Sequence, residues 1–180
     1  MELQIFGQNE LVRHLTMKRS VHTHCISITN PGQAVHPEDP SHCTPSIIED
    51  SFSSILHLKF WDSKSREGIH PRATDRTIPQ MEHIESVMRY VESTEKDADG
   101  YTIHCWRGIS RSTAIAFGLL YYFIGDEQSA AEKLVSIRRE AMPLRLILEL
   151  YDRLFNSNLS DMHSTIYRAR MLAMKKELGL

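Results

Sequence analysis

Charge of one sign is what this chain most plainly lacks: 21 Lys and Arg stand against 23 Asp and Glu, leaving a formal net charge of -2. That balance excludes a whole-molecule pull toward nucleic acid or an anionic membrane. Cysteine is also scarce. The three present, Cys25, Cys43 and Cys105, match no disulfide-framework spacing and are too few to pair completely. Met1-Glu2-Leu3-Gln4 offers no basic stretch leading into an apolar one, so no signal peptide is expected and a reducing, cytoplasmic setting is the reading. Long hydrophobic runs are missing too: Ala114 to Ile124 is the longest and is too short to span a bilayer, so no membrane insertion is expected. Nor is there an internal repeat, a low-complexity tract or a long linker. What remains is 180 residues, 41% of them hydrophobic, enough to bury one core. The reading is a single domain over 1–180, acting as a monomer.

The pattern along the chain alternates strands with helices. Gln4–Phe6, Val21–Thr29, Ser53–Asp62 and Tyr101–His104 read as strands. Helical spacing of apolar residues marks a stretch from Asn9, as cap, to Lys18, and another from Ile78 to Thr94 with Pro79 in its first turn. Further helices are expected over Ser112–Phe123, Glu127–Glu140, Leu144–Phe155 and Asp161–Glu177. Gln33–Ser46, with three prolines, and the polar Ser63–Thr77 read as irregular segments, the second a mobile loop. Such alternation predicts an α/β fold with a central, largely parallel sheet flanked by helices. Ligands of such sheets sit beyond the carboxyl ends of the strands, where Asp62 and Cys105 both fall.

The stretch His104-Cys105-Trp106-Arg107-Gly108-Ile109-Ser110-Arg111-Ser112 leaves a strand and enters a helix. Amides wrapped in this way, from Trp106, Arg107, Gly108, Ile109 and Ser110, form a cradle for an anion, and the helix N-terminus adds its dipole. Gly108 permits the turn. Arg111 presents a planar fork that grips two phosphate oxygens at once. The same field favours the thiolate of Cys105, a nucleophile beneath the phosphorus. Ser112 is placed to donate a hydrogen bond to that sulfur. His104 is expected to bond backbone and fix the loop, and the side chains of Trp106 and Arg107 to line the rim. A departing oxygen needs a proton. Asp62, at the end of "KFWD", is the favoured donor, because a strand end is held by the sheet. Asp75, in "RATDRT", is the competitor.

"HCWRGISRST" resembles the signature loop of the cysteine-dependent protein tyrosine phosphatases, His-Cys, five residues, Arg, then Ser or Thr. Gly108 and Ser110 make it similar to the dual-specificity branch. The resemblance extends over Val21–Arg170: "SILHLKFWD" is similar to the strand bearing the general-acid aspartate, and "RLILELYDRLF" to a closing helix of small bacterial members. It implies Cys105 as nucleophile, Arg111 as phosphate clamp and Asp62 as acid. The signature loop would span 104–112, the acid-bearing loop 60–77 and the C-terminal helices 127–177. No cofactor and no metal are implied. Two departures stand out: Pro143-Leu144 replaces a common Pro-Asn, and Ser63–Thr77 lengthens the separation of Asp62 from Cys105.

The expected activity is hydrolysis of phosphomonoesters through a phosphocysteine, with a phosphorylated protein as substrate, phosphotyrosine first. Three alternatives stay open: a phosphoinositide or small phosphate ester as substrate, a phosphoprotein-binding module without turnover, and a rhodanese-like sulfur transferase. Against the lipid, only Arg107 adds a cation inside the loop. His22, His24, Cys25, His36, His42 and Cys43 invite a zinc reading, but their spacing fits no usual pair. Cys25 or Cys43 is a candidate disulfide partner for an oxidised Cys105.

Overall fold

The computed structural model of the protein describes residues 1–19, 21–32, 40–69, 71 and 76–177. Four strands form one sheet: β1 (Leu3–Gly7), β2 (His24–Thr29), β3 (Ser54–Lys59) and β4 (Tyr101–Cys105). All neighbours are parallel, in the order β1-β4-β2-β3. Helices α1 (Gln8–Thr16), α2 (Ser46–Glu49) and α3 (Met81–Thr94) connect the strands. After β4 come α4 (Arg111–Ile124), α5 (Glu127–Ile137), α6 (Arg145–Phe155) and α7 (His163–Glu177).

Side chains alternate across a strand, and here that alternation divides the core. Leu3, Ile5, Ile26, Ile28, Leu58, Tyr101, Ile103 and Cys105 face a large core completed by α3 to α6. Phe6, Cys25 and Ile55 face the other way and pack with Leu11 of α1 and Ile48 of α2. β2 and β4, the inner strands, are buried along their whole length. That double burial is what a central position in a parallel sheet imposes.

Several boundaries differ from the sequence reading. α1 starts at Gln8, not after Asn9, because Gly7 is its N-cap and the Glu10 carboxylate accepts from the Gly7 N–H at 3.1 Å. Pro79 precedes α3 instead of opening it: Gln80 is extended, and its N–H donates to His83 Nδ1 at 2.9 Å, closing the cap. α5 stops at Ile137, where Arg138 turns away to bond Glu10 at 2.8 Å. β3 ends at Lys59, three residues short of Asp62. Its pairing with β2 stops once Phe60 N–H has met Thr29 O, and Trp61 N–H then turns to Thr77 O. Between those points a short 3₁₀ turn, Arg66–Gly68, lies in the segment read as a mobile loop. Asp75 and His36 lie outside the described residues.

Gly118 sits inside α4, where its missing side chain admits the ring of Tyr151 from α6, itself fully buried and stacked on Phe155 at 5.6 Å. A Cβ at 118 would overlap that ring. Helix propensity alone says Gly→Ala should stabilise a helix interior by about 1 kcal/mol. Overpacking costs about 1–3 kcal/mol and should win. Gly118→Ala is therefore expected to lower the urea midpoint; a rise would mean that the Gly118–Tyr151 contact is loosely packed.

Candidate active site

β4 ends on Cys105 and α4 begins on Arg111, so the loop between them bends back at the carboxyl edge of the sheet. Gly108 makes the bend with φ +71. Its position also admits no side chain: a Cβ there would lie 2.5 Å from the carbonyl carbon of Phe6 and closer still to the Gly7 nitrogen. Gly7 is tight too, since a Cβ there would lie 3.0 Å from Arg107 O, and Gln8 N–H donates to Trp106 O at 3.1 Å. The loop is therefore pressed onto the β1–α1 turn, which Glu10 and Arg138 brace from behind.

Within the bend, Cys105 Sγ accepts from Gly108 N–H at 3.3 Å and lies 3.2 Å from Ser112 Oγ. Both are donors suited to a thiolate, and Ser112 stands where the sequence placed it. Cys105 is 2% exposed. Arg111 is 3% exposed. One of its terminal nitrogens, Nη1, donates to Asn30 Oδ1 at 2.8 Å and to Phe60 O at 2.9 Å. Its Nε is buried with no hydrogen-bond partner among the described residues, leaving that edge of the guanidinium for an anion.

Asp62 is not held by the sheet, as the sequence reading supposed. Its Oδ1 accepts from Ser110 Oγ at 2.8 Å, which ties it to the loop between Cys105 and Arg111. A cavity of about 250 Å³ opens there, lined by Asn30, Trp61, Asp62, Trp106, Arg107 and Arg111 among others. The structure thus brings together Cys105, Arg111, Ser112 and Asp62, with the loop residues Trp106 to Ser110 around them. Asn30 was missed by the sequence reading. It follows β2 directly in "TNPG", where only a strand-ending turn was legible. Its side chain also bonds Ser41 Oγ at 2.7 Å.

His104 departs from expectation. Strand alternation turns its ring to the face opposite Cys105, fully buried, and neither ring nitrogen finds a hydrogen-bond partner among the described residues. It does not fix the loop by bonding backbone. Burial first, then the charges of His57 and Arg111, push its pKa down to about 4. The sign follows: the folded protein keeps His104 neutral while the unfolded chain takes a proton near pH 6.5. Stability should fall as pH drops from about 6.5 to 4, by about 3 kcal/mol from this group. Denaturant midpoints between those values should show the decline, and His104→Gln should flatten it.

The remaining histidines and cysteines are used elsewhere. His22 faces Asp99 at 3.6 Å, His24 Nδ1 lies 2.7 Å from Ser54 Oγ, and His42 Nδ1 lies 3.0 Å from Pro31 O. Among the described residues no three His, Cys, Asp or Glu side chains gather as a metal site would need. Cys25 is fully buried beneath α1 and α2, across the sheet from Cys105, and burial raises its thiol pKa far above the ordinary value. A disulfide between those two is thereby ruled out by the sheet itself. No helix among the described residues is long and apolar enough to cross a membrane.

No protein-family model and no curated protein sequence matches the chain. Solved structures do. Human DUSP28 superposes with a TM-score of 0.55 at 16% identity, covering 84% of this chain and 89% of its own. Tk-PTP in its active form gives 0.54 at 17% identity, covering 88% and 94%. PTPMT1 gives 0.54 at 14% identity, covering 96% and 94%. By its four parallel strands and by these superpositions, the chain has the fold of the dual-specificity and tyrosine phosphatase structures.

Proposed function

We propose that the protein is a cysteine-dependent phosphatase that removes phosphate from phosphotyrosine in proteins through a phosphocysteine, with phosphoserine and phosphothreonine as secondary substrates. One observation carries this reading. A cysteine whose Sγ accepts from Gly108 N–H and lies 3.2 Å from Ser112 Oγ shares a helix N-terminus with an arginine whose Nε is left unpaired among the described residues. An inert buried cysteine needs none of this.

In the proposed cycle the phosphate dianion seats on the loop amides and on Arg111, whose guanidinium Asn30 and Phe60 hold in place. The Cys105 thiolate attacks phosphorus, forming the S–P bond as the ester P–O bond breaks. Asp62 gives its proton to the departing oxygen. The same carboxylate, now charged, takes a proton from water as that water attacks the phosphocysteine. Phosphate leaves and the thiolate returns, steadied by Ser112. No step calls for an oxidant, and water is the co-substrate. Trp61 and Trp106 flank the cavity, and a flat aryl ester suits such walls better than a short serine ester. That preference also separates this reading from an inositol-lipid phosphatase, whose extra phosphates would find only Arg107 inside the loop.

The test is phosphate release from an aryl phosphate, from peptides carrying phosphotyrosine, phosphoserine or phosphothreonine, and from inositol-lipid vesicles. Turnover of the aryl ester with phosphotyrosine peptides foremost is the expected pattern. No release from any of them, with phosphopeptide still bound, would favour a binding module instead.

A further inference from the structure

Three cavities adjoin on the side of the molecule that carries the Cys105 loop. Ser110, whose hydroxyl holds Asp62 at the first, also lines a second of about 390 Å³ with Lys64, Met142, Pro143, Leu144 and Arg145. Met142 and Pro143 line a third of about 270 Å³, completed by Ile166, Tyr167 and Arg170 of α7. The second and third share Met142 and Pro143, and the Ser110–Asp62 bond joins the first to the second, so the three make a groove leading away from the cavity beside Arg111. Its floor is tied to the phosphate cradle by backbone: Met142 N–H donates to Ile109 O at 2.9 Å, and Leu144 N–H to Ser110 O at 3.4 Å. The groove's distance from Cys105 is therefore set by the same hydrogen bonds that shape the loop.

Its chemistry is apolar with cations at the margins. Met142 is 50% exposed and Tyr167 58%, a large apolar area to leave in water beside a site. Lys64 and Arg170 have no carboxylate partner among the described residues. Arg145 is already engaged by Glu149 at 3.0 Å. A small aryl phosphate ends inside the first cavity and has nothing to place in the others. A polypeptide does: each extended residue advances about 3.3 Å, and a few residues beyond the phosphorylated one reach the next hollow.

We infer that this groove binds the polypeptide flanking the phosphorylated residue, an apolar side chain resting on Met142 and Tyr167 and an acidic one facing Lys64 or Arg170. This rests on the phosphatase reading and adds to it a preference for the residues beside the phosphorylated one. Tyr167 and Arg170 stand outside the catalytic cavity, so Tyr167→Asp and Arg170→Glu separate the two ideas. The substrates are an aryl phosphate and a decapeptide carrying phosphotyrosine with leucine and glutamate on one side. Aryl phosphate kcat/KM is expected to stay within about twofold, while peptide kcat/KM falls about tenfold through KM. Equal losses on both substrates, no loss on the peptide, or the same loss on inositol-lipid vesicles would overturn the groove. If wild type releases no phosphate at all, the phosphatase reading fails, and calorimetric binding of the same peptide decides the groove. Weaker binding by both variants sustains it; unchanged binding ends it.

Discussion

Cys105→Ser is expected to reduce phosphate release from an aryl ester to background, while the variant folds and still binds phosphate. The two atoms differ in what their surroundings make of them. Gly108 N–H and Ser112 Oγ lie within bonding reach of the sulfur, and in the proposed cycle that sulfur is the nucleophile. An alcohol keeps its proton there and is the weaker nucleophile. His104, the neighbouring candidate base, faces across the sheet with its pKa pushed down to about 4. Phosphate affinity should survive because the substitution leaves the proposed cradle of loop amides and Arg111 alone. Phosphate titration alongside the rate assay distinguishes this outcome from simple unfolding. Turnover retained by the serine variant would assign the nucleophile elsewhere.

Asp62→Asn should cost about 10²–10⁴-fold in kcat for a substrate with a poor leaving group. Removing the proton donor leaves the cradle, the sulfur and the guanidinium unchanged, so the loss belongs in kcat and KM should move little. The effect should shrink as the leaving group becomes more acidic, since a good leaving group departs without a proton. Ser110→Ala tests the same carboxylate indirectly. Its hydroxyl donates to Asp62 Oδ1 at 2.8 Å, and without it the acid loses its hold beside the cavity, giving a smaller fall of the same kind. Asp75→Asn is expected to have little effect. If Asp75→Asn carries the loss and Asp62→Asn does not, the acid is Asp75 and the phosphocysteine step is unaffected.

Much of this site was legible in the linear chain because it is local. Cys105 and Arg111 stand six positions apart, spanned by a strand end, a glycine turn and a helix start, each with its own signature. Asp62 was found through the apolar strand before it, yet for the wrong reason: the strand stops at Lys59, and the aspartate is held by Ser110, 48 residues away. Asn30 was not found. Its bond to Arg111 spans 81 positions, and an asparagine before Pro-Gly says only that a strand is ending. The brace of Glu10 and Arg138 behind the loop spans 128 positions and is silent in the sequence for the same reason. His104 shows the converse. Its neighbour in β4 is Cys105, and adjacent strand residues point to opposite faces, so alternation by itself implies that the ring lies across the sheet from the sulfur.

The proposed mechanism passes through one covalent bond, between Cys105 Sγ and phosphorus. Asp62→Asn, mixed with a labelled aryl phosphate and quenched in acid within milliseconds to seconds, should carry label on the protein, and peptide mass mapping should place one phosphate on Cys105. Label on any other residue, or product formed with no labelled protein at any quench time, would contradict it.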